Sequence, residues 1–121
     1  MFYIENDTIY LSRGDTGSFT VTTSGYTFAA EDRALLSVKS AAGEVVFERV
    51  YELTTELGNG VFLVELHNED TDSLAIGSYT WDVRYVIHPY YDETGRIIDG
   101  DQVITPKPPR NLVLLAVVGE V

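Results

Sequence analysis

Gly77–Ile87 reads GSYTWDVRYVI and decides the fold class of this chain. Large apolar side chains occupy alternate positions, and polar side chains occupy most of the positions between them. The apolar set is Tyr79, Trp81, Val83, Tyr85 and Ile87. A period of two is the spacing of a β-strand with one buried face, and aromatic residues at alternate positions suit a pleated surface. The stretch therefore predicts one long, half-buried strand.

The same period recurs along most of the chain. Shorter alternating runs lie at 9–11, 19–21, 36–38, 45–50 and 62–66, a hairpin is predicted to turn at 91–95, and further strands are predicted at 102–105 and 111–118. Only 69–75 has the capping side chains and early acids of a short helical turn. About seven to eight short strands separated by turns predict one all-β domain over residues 1–121, folded as an antiparallel β-sandwich.

Composition limits the partners that such a domain can bind. The 121 residues include 8 Lys and Arg against 19 Asp and Glu, which gives a formal net charge of -11 at pH 7. This excess of negative charge repels phosphate backbones and anionic lipids, so we expect neither nucleic acid nor a membrane as a partner. The apolar runs are too short to cross a bilayer, and the N-terminus lacks the features of a secretory signal. We expect a soluble protein made in a cytoplasm.

Catalytic and metal-binding patterns are weak throughout the sequence. The chain has no cysteine, which excludes disulfides and thiolate chemistry. His67 and His88 lie at expected strand ends without other ligands at zinc spacing, and the acidic runs 68–72 and 99–101 do not match a calcium-binding loop. Asp15-Thr16-Gly17 matches the short motif of aspartic proteases, but no residues that would support a catalytic dyad are recognisable. We expect no catalytic residue, no cofactor and no metal, and a small hydrolase is the least favoured alternative.

Arg13-Gly14-Asp15-Thr16 has two incompatible interpretations. Arg-Gly-Asp is the tripeptide of integrin-binding adhesion proteins, which would make the chain a cell-surface ligand. The same residues lie between two alternating runs, where they are expected to form a structural turn. In that turn Gly14 supplies a flexible backbone, and the Asp15 side chain accepts a hydrogen bond from the backbone near Thr16 and Gly17. Nothing else in the sequence indicates contact with animal cells, so we favour the turn.

Two stretches are candidate binding surfaces. Tyr90 and Tyr91, beside the acidic loop 91–95, form a candidate stacking platform for a sugar, which supports the alternative of a carbohydrate-binding or adhesion module at a bacterial surface. The last predicted strand is apolar on both faces, which is unusual for a half-exposed strand. We expect it to be covered by Phe2 and Ile4 or by another subunit. Its candidate interface residues are Leu112, Leu114, Leu115 and Val117.

Three segments, taken in order, resemble one protein family. They are residues 9–21 (IYLSRGDTGSFTV), residues 70–83 (DTDSLAIGSYTWDV), and 104–106 followed by 112–114. Together they are similar to the N-terminal domain of the upper baseplate proteins of tailed phages that infect Gram-positive hosts, a domain that also occurs in Firmicutes prophages. That family begins with an apolar strand, an Arg-Gly-Asp-Thr-like turn and Phe-x-Val. It continues with Asp-Thr-x-x-Leu, Gly-x-Tyr-x-Tyr/Trp-Asp-Val and a closing pair of strands.

The resemblance implies an immunoglobulin-like β-sandwich and a non-enzymatic, structural role in a virion, as part of a tail or baseplate. The implied partners are other tail proteins or further copies of this chain. The implied location is the virion, assembled in the cytoplasm of the bacterial host. One departure from the family pattern is the stretch 85–101, which is longer than the usual final hairpin. We expect any feature particular to this chain to lie there.

Overall fold

The computed structural model describes residues 1–105 and 109–116. The structure is mostly β, with 61% strand and one short helix among these residues. In chain order the elements are β1 (Phe2–Glu5), β2 (Thr8–Ser12), β3 (Gly17–Thr22), β4 (Arg33–Lys39), β5 (Val45–Glu52), β6 (Thr54–Thr55), β7 (Gly58–Asn59), β8 (Val61–Leu66), α1 (Asn68–Thr71), β9 (Gly77–Tyr91), β10 (Ile97–Ile104) and β11 (Arg110–Leu115).

Seven of the strands form one main sheet in the order β1-β2-β11-β9-β4-β5, with β10 also paired to β9. Strands β11 and β10 share one edge of the long strand β9, because β11 pairs with residues 77–81 and β10 with residues 85–91. The sheet is mixed: β2 and β11 run parallel, and the other pairs are antiparallel. Strands β3 and β8 form a separate two-stranded sheet, as do β6 and β7.

One buried cluster joins the main sheet to the β3–β8 pair. Side chains from β2, β4, β9 and β11 contribute to it, and Phe19 and Val21 of β3 pack against it from the other side. The central members are Ile9, Leu11, Leu36, Val38, Phe62, Val64, Leu66, Tyr79, Val83, Tyr85, Leu112 and Leu114. Burial of this apolar surface is the main favourable term in folding. The alternating stripe of β9 therefore has the role that its spacing predicts.

The all-β class and the long strand at 77–87 are confirmed, and the predicted helical turn is α1, although α1 ends at Thr71 rather than near residue 75. Two expectations were wrong. The described residues form eleven strands instead of about eight, since β1, β6 and β7 are too short or too polar to show a period. The main sheet is mixed instead of purely antiparallel, since β2 and β11 run parallel. Local sequence patterns do not indicate this pair, because the two strands come from opposite ends of the sequence.

The β9–β10 hairpin bends back over the main sheet. Arg96, in the turn of this hairpin, donates from Nε to Glu48 Oε1 at 2.8 Å. Glu48 pairs in register with Ser37, and Ser37 pairs with Asp82 of β9. A straight β9 would carry the chain roughly 30 Å from Asp82 to the hairpin turn, which is too far for the contact with Glu48. Strand β9 therefore bends, and His88, with a positive φ of 49°, lies at the bend.

The bent hairpin covers the face of the main sheet opposite the shared core. Leu35, Ser37 and Val86 lie on that face and are buried. Ile97 of the hairpin is buried as well. Gly100 packs so closely that a Cβ there would lie 2.6 Å from Val86 Cγ1. The β9–β10 hairpin thus covers part of this sheet face.

Asp32 holds the bend in place. Its side chain is buried, Oδ1 accepts a hydrogen bond from the His88 N–H at 3.0 Å, and Oδ2 accepts one from the Ala29 N–H at 2.7 Å. A buried carboxylate is tolerated when donors of this kind satisfy it. Sequence reasoning did not identify Asp32, because a single acid in the loop before β4 has no periodic signal.

Candidate functional site

The Arg13-Gly14-Asp15-Thr16 segment forms a turn that does not close a hairpin. It carries the chain from β2 in the main sheet to β3 in the small sheet. The turn is closed by the Asp15 N–H, which donates to Ser12 O at 2.9 Å. Gly14 has a φ of +81°, a backbone conformation that glycine adopts at little cost. The glycine of this tripeptide is therefore explained by the connection between two sheets.

This turn belongs to the segment 9–21, and it contacts the segment 70–83 at Thr71 and the strand that contains residues 112–114, while residue 106 of the third segment lies outside the described residues. The Gly14 N–H donates to Thr71 Oγ1 at 3.0 Å, which links the turn to α1. The Arg13 N–H donates to Leu115 O at 2.8 Å, which links it to the end of β11. Strand β11 in turn pairs with β2 on one side and with β9 on the other. Residues far apart in the sequence thus form one contiguous unit.

Asp15 has a different partner from the one predicted. Its carboxylate is paired with the ammonium group of Met1, on the protein surface, and not with the backbone near Thr16 and Gly17. An exposed ion pair contributes little, about 0–1 kcal/mol. The polar group that matters in this turn is therefore the Gly14 N–H.

We expect Thr71→Val to lower the free energy of unfolding by about 1–2 kcal/mol, because it leaves the partly buried Gly14 N–H without an acceptor. Thr71 is fully buried, and valine has nearly the same shape, so packing changes little. Thr71→Ser is the matched control, since it keeps the hydroxyl and removes one methyl group. Urea unfolding of the three proteins measures the difference. Equal stability of Thr71→Val and the parent would show that the hydroxyl contributes nothing.

Asp70, in the same segment, anchors α1 to β5. Its two carboxylate oxygens accept hydrogen bonds from Arg49 at 2.6 and 3.0 Å, and Oδ2 also accepts one from the His67 N–H at 2.8 Å. Burial alone would raise the pKa of Asp70, but the hydrogen bonds from Arg49 and from the His67 N–H outweigh burial and lower it. One acid of the run 68–72, Asp70, is thus engaged in holding two elements together.

The lowered pKa of Asp70 predicts a pH-dependent contribution to stability. A carboxyl group with a lower pKa in the folded state stabilises fully above its unfolded pKa, near 4, and its contribution is lost as the pH falls through the folded value. We expect Asp70→Asn to cost about 2 kcal/mol at pH 7, and the cost to shrink steadily below about pH 4. Urea unfolding across this range measures it, with the exposed Asp72→Asn as control. A cost that does not change with pH would contradict the ion pair.

The interface predicted on the last strand loses its basis. Strand β11 lies inside the main sheet, between β2 and β9, so it is no edge. Leu112 and Leu114 are buried in the shared core and Leu115 is half-buried, while Val117 lies outside the described residues. The strand that flanks it is β2, and β1, which carries Phe2 and Ile4, pairs with β2 in turn. Strand β11, which is apolar on both faces, is therefore an internal strand of the sheet.

Tyr90 and Tyr91 do not form one platform. They are successive residues of β9, so their side chains point to opposite faces of the hairpin. Tyr90 instead belongs to a small polar cluster: its hydroxyl donates to Asp101, and His88 Nδ1 lies 3.3 Å from the same carboxylate. All three side chains are exposed. The carbohydrate-binding alternative therefore lacks the surface that favoured it.

Metal ligation has no geometric support among the described residues. No group of three or more His, Asp or Glu side chains in residues 1–105 and 109–116 is arranged to hold a metal ion. His67 precedes α1 at its N-terminal cap, and its Nε2 lies 4.0 Å from Glu65. The acids of both acidic runs are thus distributed over a helix, an ion pair and a hairpin.

A groove that sequence reasoning missed opens between β3 and the main sheet. Its volume is about 460 Å³, within the range of about 300–1,000 Å³ that is usual for binding sites. Residues 19–24 line it from the side of β3, and Trp81, Val83 and Tyr85 line it from β9. The spacing of β9 could have indicated this apolar lining. Only the placement of β3 over β9, however, creates a groove.

Besides Asp82 and the hydroxyl groups in residues 20–24, the groove has polar groups at the β1–β2 turn and at the start of β11. Trp81 Nε1 donates to Asp7 O at 3.2 Å, and the Trp81 ring packs edge-on against Phe19 with a centroid distance of 5.6 Å. Arg110 Nε is buried without a hydrogen-bond partner among the described residues, 3.5 Å from the Asp7 carboxylate. Apolar walls with a few placed polar groups are typical of a binding site.

Among the described residues, no helix is long and apolar enough to cross a membrane.

Comparison of the chain with protein-family models, with curated proteins and with solved structures finds no match.

Proposed function

We propose that this chain is a structural module of a bacteriophage or prophage virion, of the tail or baseplate type. It acts through contacts with other proteins and catalyses no reaction. The observation that carries the proposal is the contact between residues 9–21, 70–83 and 112–114, which belong to the segments that resemble the family. The turn 13–16 is hydrogen-bonded to α1 and to the end of β11, and β11 pairs with β2 and β9. Segments that meet in this way are explained as parts of one structural unit.

The strand order supports an immunoglobulin-like β-sandwich for this module. In variable-type immunoglobulin domains, a sheet containing strands G, F, C and C′ faces a sheet containing B and E. Here β11, β9, β4 and β5 are neighbours in that order, and the separate sheet consists of β3 and β8. Taking β3, β4, β5, β8, β9 and β11 as B, C, C′, E, F and G reproduces both the chain order and the neighbours.

The location of the chain in tailed particles tests this function. Particles induced from the source strain are purified on a density gradient, and the chain is quantified by mass spectrometry against the major tail protein. We expect a constant ratio in independent preparations and labelling of the tail or its tip by immunogold microscopy. An abundant cytoplasmic protein of the host serves as the control for carry-over. Recovery of the chain only in the particle-free fractions would contradict the proposal.

A further inference from the structure

We propose that the groove beside β3 binds an extended, positively charged segment of a partner protein, which pairs with β3 as an added strand. This inference rests on the proposed function insofar as the partner is a protein of the assembly. Strand addition to an exposed edge is a general mode of peptide recognition, in which main-chain hydrogen bonds provide affinity and side-chain pockets provide specificity.

The backbone of β3 has one free edge. The Thr23 N–H donates to Gly60 O at 2.9 Å, in register with the antiparallel β3–β8 ladder. Because hydrogen-bonded and non-hydrogen-bonded pairs alternate along such a ladder, the N–H and C=O groups of Ser18, Thr20 and Thr22 point away from β8. No other strand in the described part of the chain pairs with β3. Three residues thus present donors and acceptors at the edge that adjoins the groove.

The opposite edge of the same small sheet, formed by β8, is partly capped by side chains. On β8, the carbonyl oxygen of Val61 accepts a hydrogen bond from the Thr55 hydroxyl at 2.6 Å, and that of Glu65 accepts one from Arg49 at 2.7 Å. Side chains of the protein itself therefore occupy two of the three outward carbonyls of β8, those of Val61 and Glu65 but not that of Leu63. The β3 edge has no such cap among residues 1–105 and 109–116, and it has neither the charges nor the proline that commonly protect an edge strand.

The lining of the groove defines which side chains the added strand would bring. Trp81 and Val83 offer an apolar surface next to the free edge, so residues of the added strand that point inward are expected to be apolar. Residues that point outward alternate with them. The lining also includes the charged side chains Asp7, Asp82 and Arg110, and Arg110 Nε lies 3.5 Å from the Asp7 carboxylate.

Charge decides between a second copy of this chain and a cationic partner. Each copy carries a formal net charge of -11, so two copies repel each other, while a segment rich in Lys or Arg is attracted. The free edge itself carries no charge, since its outward residues are Ser18, Thr20 and Thr22. The occupant with the best complementarity therefore alternates apolar residues with basic ones.

Synthetic peptides test the proposal on the full chain. The probe is an acetylated, amidated peptide of alternating valine and lysine, roughly eight residues long, the length of an ordinary strand. Comparison peptides replace lysine by glutamate, or keep the composition but place all valines before all lysines. In NMR titrations we expect the alternating basic peptide alone to shift the amide signals of Ser18, Thr20 and Thr22. Shifts that are absent from β3, or equal for the block peptide, would overturn the proposal.

Two substitutions at one position separate edge pairing from simple charge attraction. Thr20→Pro removes the outward N–H without touching the β3–β8 ladder, and proline is tolerated on edge strands. Thr20→Val keeps that N–H. We expect the dissociation constant of the alternating peptide to rise roughly tenfold or more in Thr20→Pro and to change little in Thr20→Val. Equal binding by both variants would contradict strand addition, and the titration of the parent chain decides the matter if Thr20→Pro does not fold.

The outcomes also separate this inference from the proposed function. If the chain is found in tailed particles but no peptide binds at β3, the virion role stands and the strand-addition site is wrong. If the peptide binds at β3 but the chain is absent from particles, the site stands and the virion role is wrong.

Discussion

Replacing Leu114 with alanine is expected to lower the free energy of unfolding of the isolated chain by about 3 kcal/mol. Leu114 is fully buried in the shared core, so the substitution removes apolar contacts and leaves a cavity. If Leu114 instead formed an interface with another subunit, the same substitution would weaken association and leave the isolated domain nearly unchanged. Urea unfolding at several protein concentrations distinguishes the two roles.

Leu63→Ala is the matched control for that experiment. Leu63 lies on β8 with its side chain 41% exposed, and we expect its truncation to cost less than about 1 kcal/mol. The core assignment of Leu114 would be contradicted by similar losses in the two variants, or by a loss at Leu114 that depends on protein concentration.

Asp32→Ala should cost about 3 kcal/mol, because it leaves the N–H groups of His88 and Ala29 without their acceptor. Hydrogen bonds to a charged group contribute about 1.5–3 kcal/mol each. The bond to His88 lies at the bend of β9. We therefore also expect amide hydrogen exchange in the β9–β10 hairpin to be faster in Asp32→Ala than in the wild type, with a smaller increase in the rest of the main sheet.

The neighbouring residue provides the control. Glu31 is exposed, and Glu31→Ala should change stability by less than about 0.5 kcal/mol. A wild-type exchange pattern in the hairpin of Asp32→Ala would mean that Asp32 does not hold the bend, whatever its contribution to stability.

The sequence predicted those elements whose signal lies in a few neighbouring residues. The alternating stripe of β9 indicated a long half-buried strand, and the structure buries Tyr79, Val83 and Tyr85 on one face. The glycine between β2 and β3 indicated a turn, and the capping residues indicated α1. In each case the signal lies within a few neighbouring residues, which is where propensity and period carry information.

Features that depend on distant pairing were missed or misread. The parallel pairing of β2 with β11 joins the two ends of the sequence, so an apolar β11 looked like an uncovered surface when it is an internal strand. Tyr90 and Tyr91 looked like a platform because they are neighbours in sequence, although alternation separates them. The clusters that formed instead, such as His88 with Tyr90 and Asp101, require the register of a hairpin.

Contacts with residues that are distant in the sequence also explain the Arg13-Gly14-Asp15 tripeptide. Its glycine is explained by a positive φ and by the hydrogen bond of its N–H to the buried Thr71. Its aspartate pairs with the Met1 ammonium on the surface. The tripeptide is thus part of the connection between two sheets. The buried acceptor of its Gly14 N–H, Thr71, lies fifty-seven residues away in the sequence.

Amide hydrogen exchange along β3 tests most directly whether this protein has a vacant strand position. In the isolated chain we expect Ser18, Thr20 and Thr22 to exchange fast, because their N–H groups point to the open edge, and Phe19 and Val21 to exchange slowly, because theirs pair with β8. This alternation, independent of protein concentration, is the expected result. Slow exchange at all five amides would show that the edge is already covered and would contradict it.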